Sequence, residues 1–294
     1  MLGEVLTAIV TPFHEDGSVD LGSFRRLCSY LVDHGGSDGL VVAGTTGESP
    51  TLTDEERLEL FRAAVETVGD RATIVAGTGS NDTAHSVHLT EAAHAIGVDA
   101  FLVVTPYYNK PPARGIVGHF AAIAAVSDRP IVVYNIPQRV VVNIEPETMA
   151  ELAEIPNVTA VKQATTDPGQ ARRIVELGLD LYAGNDDLIL PFLELGGVGG
   201  VCVFTHLVGP QVKDLIVRFK AGDVDGARAL MPKLDQVIDA LSVAVNPIPV
   251  KAALNMLGHE VGGLRLPLVE ASEDERAAIR TGLERAGVLA SATV

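Results

Sequence analysis

A lysine closes an otherwise apolar run in "VTAVKQA", residues 158–164. A run of small and β-branched residues reads as a strand buried on both faces. An ammonium group there is costly unless it is paired or deprotonated. Desolvation makes a lysine amine a nucleophile toward carbonyls. Lys162 therefore has two readings: a Schiff-base nucleophile, or a rim lysine that snorkels to solvent. Tyr134, in "VVYNIP", has apolar flanks that suggest an inward phenol. A phenol can shuttle a proton and still hold its own at neutral pH; the plainer reading is a buried tyrosine with a satisfied hydroxyl. "AGTTGES", residues 43–49, is a glycine-bounded turn. Its amides, with the hydroxyls of Thr45 and Thr46, can hold a carboxylate, or it is an ordinary strand-to-helix turn. It lacks the lysine of a phosphate-binding loop, which sets nucleotide binding aside.

These groups need a frame. Eight apolar, β-rich runs recur, at 6–13, 38–44, 72–79, 100–106, 130–136, 158–164, 180–186 and 197–204. Most are continuous rather than alternating, as for parallel strands covered by helices. Helical patterns lie between them. Thr53 and Glu56 form a capping box, Asp20 and Asp82 suit N-caps, and Pro146 suits a first turn. The repeat length is that of a βα unit. The chain is therefore an α/β protein, predicted to be a (β/α)8 TIM barrel at 1–206, with a doubly wound open sheet as the competitor. The remainder, 207–294, reads as a helical extension packed on the barrel. Its helices are predicted at 207–221, 224–243, 247–257 and 272–287, the last opened by Ser272 and Glu275. In such barrels chemistry sits at the carboxyl ends of the strands, where Lys162, Tyr134, Thr45 and Thr46 all fall.

The 294 residues carry a formal net charge of −16, with 47% hydrophobic and 20% charged residues. That acidity argues against a nucleic-acid partner. No run is long enough to span a membrane and the N-terminus has no signal-peptide pattern. Cys28 and Cys202 lie far apart in apolar contexts and read as structural thiols, so a cytoplasmic location is expected. "GTGSND" (77–82) lacks the third glycine of a dinucleotide loop. His85 and His88 lack a carboxylate at metal-ligand spacing and read as surface or interface residues.

Six motifs occur together and in order: "GTTGE", "PYYNKP", "YNIPQR", "VKQA", "NPIPVK" and "LRLPL". On these the chain resembles the 4-hydroxy-tetrahydrodipicolinate (dihydrodipicolinate) synthases, in the N-acetylneuraminate lyase superfamily of pyruvate-dependent class I aldolases. The resemblance spans essentially the whole chain. It implies a lyase of the diaminopimelate route to lysine that condenses pyruvate with L-aspartate 4-semialdehyde. Lys162 would form the Schiff base, so no cofactor is implied. Tyr134 would shuttle protons, linked to Thr46 and Tyr108. Tyr108 would reach the neighbouring subunit's site across a tight dimer, within a homotetramer that is a dimer of dimers. Thr45 and Thr46 would hold the pyruvate carboxylate, with Gly184 and Val201 lining the site opposite. Arg139 would bind the aldehyde's carboxylate, a task suited to a planar bidentate donor. The alternative is a lyase or dehydratase acting on a sugar-derived 2-keto-3-deoxy acid.

The sequence departs from the family pattern in four places. Gln163 stands where glutamate is commoner, Val140 replaces a usual threonine, Asn185 a frequent aspartate, and Gly200 a larger residue. Where lysine-inhibited members bind their effector, this chain has Asp54, Arg57 and His85, with Asn81 and Tyr107 retained. A cation at 57 and no carboxylate at 85 predict weak or absent lysine inhibition.

Overall fold

The computed structural model describes residues 2–290; Met1 and 291–294, the outer ends of the two expected units, lie outside the described residues. Eight parallel strands close in chain order: β1 (Val5–Ala8), β2 (Gly39–Val42), β3 (Thr73–Gly77), β4 (Ala100–Val104), β5 (Ile131–Asn135), β6 (Val158–Gln163), β7 (Asp180–Ala183) and β8 (Gly199–Cys202). β8 pairs back onto β1, so the architecture is the closed (β/α)8 barrel and not the open sheet. Apart from Val5, each strand lies within one of the eight apolar runs. The strands are shorter than the runs, whose continuations form the loops at the barrel mouth.

Alternation along the strands sorts side chains into two layers. Each strand sends at least one residue into a single buried cluster, among them Leu6, Val41, Val75, Leu102, Val132, Ala160, Tyr182 and Val201. Their chain neighbours, such as Leu40, Ile74, Phe101, Val133 and Val161, pack outward in the layer shared with the helices. This explains the continuous hydrophobicity of the runs: both faces are covered. The helices start where capping chemistry places them. Asp20 accepts from the Ser23 amide at 2.9 Å. Thr53 and Glu56 bond each other's backbone reciprocally at 3.2 and 2.9 Å. Each such cap contributes about 1 kcal/mol.

Beyond β8 come helices Thr205–Lys220, Val224–Arg228, Met231–Leu241, Ile248–Met256 and Glu273–Arg285. The single helix expected over 224–243 is therefore two. Pro232 sits in the first turn of the second, where its missing N–H is harmless, but its ring cannot follow a continuous preceding turn. The proposed division at 206/207 falls in the first turn of Thr205–Lys220, a helix that packs on β1. Cys28 and Cys202 are both free and buried. No helix among the described residues is long and apolar enough to cross a membrane.

Candidate active site

Strand register assembles the centre. Tyr134 of β5 is paired directly with Lys162 of β6. Each stands two residues beyond an inward-facing one, Val132 and Ala160, and so shares its direction. Lys162 is only 5% exposed, and its Nζ lies 4.2 Å from the centroid of the Tyr134 ring. That contact favours a cation by about 1 kcal/mol. A solvent-seeking rim lysine would not be enclosed in this way.

A cavity of about 350 Å³ contains this pair, and Thr45, Thr46, Arg139, Gly184, Asn185 and Asn246 also line it. A larger cavity, about 480 Å³, lies between helices Ile248–Met256 and Glu273–Arg285. It contains neither Lys162 nor Tyr134, so chemistry selects the smaller one.

The turn after β2 is held from below and from the side. Thr11 Oγ1 donates to the Gly47 carbonyl at 2.7 Å. The amides of Gly47 and Glu48 close back onto Gly44 and Thr45, both at 3.1 Å. Among the described residues, the amides of Thr45 and Thr46 donate to no backbone carbonyl, which leaves them available to a carboxylate. Glu48 has a left-handed backbone, φ +55°. Its carboxylate accepts from Lys251 Nζ at 2.8 Å and from the Arg265 amide at 3.1 Å. The Lys251 and Glu48 side chains are each 1% exposed. Burial pulls the Lys251 amine down to about 8 against the opposing pull of Glu48. The Thr46 hydroxyl accepts from Asn246 Nδ2 at 2.9 Å.

Asp186, in the loop after β7, also faces the cavity. Its carboxylate accepts the amides of Val203 and Phe204 at 2.9 and 2.8 Å. Burial pushes this carboxyl above its ordinary range, while those amides and the Lys162 charge pull the other way. Gly184 is required by close approach. Its amide donates to the Gln163 carbonyl at 2.8 Å, and a Cβ would meet Gln163 backbone at 2.9 Å.

The other expected site residues are placed as follows. Arg139 rides a short helix, Pro137–Val140, at the cavity wall; its Nη2 donates to the Asn246 carbonyl at 3.5 Å. Val201 belongs to the inner barrel cluster, and Val203, two residues on, reaches the cavity. Tyr108 is 88% exposed with φ +72° and does not line this chain's own cavity. Gln163 points outward from β6. It accepts from Asn135 at 3.1 Å and donates to Thr165 and Gln170 at 2.8 and 2.9 Å. An amide makes all three bonds, whereas an ionised carboxylate could not donate. Sequence reasoning missed Asn246, Asp186 and the Lys251–Glu48 pair. Asn246, Lys251 and Glu48 stood inside motifs already noticed, "NPIPVK" and "GTTGE", but their partners are distant in sequence.

A buried amine against a phenol, free amides beside two threonines, and a guanidinium at the wall suit imine chemistry on a keto acid. Known proteins point the same way. The model of the dihydrodipicolinate synthetase family matches residues 1–286. A 4-hydroxy-tetrahydrodipicolinate synthase of Moorella thermoacetica is 49% identical over 290 residues, covering 98% of this chain and 99% of that one. The dihydrodipicolinate synthase of Cyanidioschyzon merolae, solved with lysine bound, superposes with a TM-score of 0.96 at 42% identity, over 98% of this chain and 99% of that one. The Acinetobacter baumannii enzyme, solved with pyruvate, gives 0.94 at 36% identity, over 98% of this chain and 100% of that one. With the family model covering nearly all of its length, the chain belongs to the dihydrodipicolinate synthetase family.

Proposed function

We propose that this chain condenses pyruvate with L-aspartate 4-semialdehyde to give 4-hydroxy-tetrahydrodipicolinate, the first committed step of the diaminopimelate route to lysine. The observation that carries the reading is the in-register pairing of Lys162 and Tyr134 inside the barrel mouth. The Lys162 amine attacks the pyruvate keto carbon, and water leaves to form an iminium. The pyruvate carboxylate lies on the free amides of Thr45 and Thr46. The iminium draws electrons from the methyl group, which loses a proton to give an enamine. Tyr134, relaying through Thr46 and Tyr108, moves that proton and supplies the one that leaves with the carbinolamine hydroxyl as water. The enamine carbon attacks the aldehyde, whose carboxylate is held by Arg139. The substrate's own amine then attacks the iminium carbon, closes the ring and frees Lys162. Lys162 supplies the covalent electron sink, so the scheme uses no separate cofactor.

Tyr108 is the group supplied in trans. Its exposure and left-handed backbone suit a side chain that reaches across a tight dimer, two of which form the homotetramer. The enzyme would act in the cytoplasm. A turnover assay with both substrates tests the reading. Condensation is expected with the semialdehyde; cleavage of a 2-keto-3-deoxy sugar acid in its place would overturn the assignment.

A further inference from the structure

The aldehyde of the proposed function carries two charges on one carbon, a carboxylate and an ammonium. Arg139 answers the first. For the second, the loop after β7 offers two acidic side chains to the cavity, Asp186 and Asp187. Asp186 is already spent on the amides of Val203 and Phe204, at 2.9 and 2.8 Å. Asp187 is exposed at the cavity wall, and among the described residues its carboxylate has no ion-pair or hydrogen-bond partner. Like charge surrounds it instead. Asp235 stands on helix Met231–Leu241, whose Ile238 and Leu241 line the same cavity. Burial, and then the charges of Asp239 and Asp187, push the Asp235 carboxyl above its ordinary range. Acids gathered without a cation repel one another, and a cationic guest relieves that repulsion. An acceptor in the same wall points to the same guest. Asn246 Oδ1 is buried with no partner among the described residues, although buried acceptors are ordinarily satisfied. Arg139 Nη2 donates to the main-chain carbonyl of that residue at 3.5 Å, so a carboxylate on the guanidinium brings its neighbouring ammonium close to Asn246.

We propose that Asp187 is a specificity residue whose carboxylate binds the ammonium of the amino aldehyde and so selects it over aldehydes that lack an amino group. The barrel mouth then sorts its reactants by charge. The turn amides take the carboxylate of the keto acid, Arg139 takes that of the aldehyde, and Asp187 takes the ammonium. This rests on the amino aldehyde of the proposed function.

The test sets aspartate semialdehyde against 4-oxobutanoate, the same molecule without its amino group, which competes for the site through its carboxylate. Steady-state kinetics give kcat/KM for the first and an inhibition constant for the second. Rates are counted per site that borohydride traps with pyruvate, so misfolded protein does not enter. Asp187→Asn removes the charge and keeps the shape; Asp187→Glu keeps the charge. The asparagine variant is expected to lose about tenfold or more in kcat/KM for the semialdehyde, while the inhibition constant of 4-oxobutanoate stays within about twofold. The glutamate variant is expected to recover most of that loss. Equal losses toward both aldehydes, no recovery with glutamate, or undiminished kcat/KM in Asp187→Asn would overturn the proposal and leave the condensation reading standing. A parent enzyme that does not condense the semialdehyde at all would overturn the condensation reading, and this proposal with it.

Discussion

Lys162, Tyr134 and Arg139 separate cleanly by what each should lose. Tyr134→Phe keeps the ring under the Lys162 ammonium but removes the proton carrier. It should lower kcat by roughly 10²–10⁴-fold, the usual share of a general acid–base. A loss below about fivefold in steady-state kinetics would rule out the shuttle. Arg139→Ala removes a charge-assisted contact of about 2–3 kcal/mol, so kcat/KM for the semialdehyde should fall roughly 30–150-fold while imine formation with pyruvate persists. Intact activity in that variant would remove the substrate assignment. Lys162 and Tyr134 were legible because strand ends are local: "VKQA" and "VVYNIP" each carry their group near the end of a predictable strand, whereas Arg139 lies beyond its strand and its role came only from the family resemblance. Asn246 was not legible, since its partner Thr46 is brought near only by closure of the fold. Gln163 shows the same limit, because its partners lie on β5 and beyond the end of β6.

The elements divide into those written locally and those set by packing. Eight strands and the capping boxes at Thr53 and Ser272 followed from local pattern, and the structure contains them. The short helix that carries Arg139, Pro137–Val140, is too brief for periodicity to reveal. The break in 224–243 turned on Pro232, which is compatible with a continuing helix pattern in apolar spacing but not in backbone sterics. The turn after β2 is stabilised by the extension through Lys251 and Glu48. Lys251→Met should leave the Glu48 charge buried and partnered only by a backbone amide, at a cost of roughly 3–5 kcal/mol. Adding Glu48→Gln should return much of that loss. A denaturant titration of the parent, single and double variants measures this, and equal stability in the parent and Lys251→Met would contradict the account.

At the scale of the whole molecule, two buried histidines couple folding to pH. Burial pulls His119 and His206 down to about 4. His206 accepts the Val10 amide and bonds the Val203 carbonyl as the neutral ring. Both side chains regain a value near 6.5 on unfolding, so the unfolded chain binds more protons between the two values. Stability should be fully present above about pH 6.5, fall through about pH 4, and then level off with respect to these groups. Each contributes roughly 3 kcal/mol at most. Denaturant midpoints measured from about pH 7.5 to 4 should show that slope, and a flat profile would refute it. Sensitivity to lysine also follows from how distant segments meet. Asp54 is engaged by His85 at 2.8 Å, and the Arg57 guanidinium is buried beside it, donating to the Ser49 carbonyl. A cationic effector would meet that cation and find the Asp54 carboxylate already paired. Inhibition should be weak or absent; loss of more than half the activity in sub-millimolar lysine would contradict this.

The central claim is that Lys162 is the nucleophile, and borohydride reduction with pyruvate followed by peptide mapping tests it most directly. The account predicts a pyruvate-derived adduct confined to Lys162 and absent from Lys162→Arg. No adduct, or one that maps to another lysine such as Lys251, would contradict it.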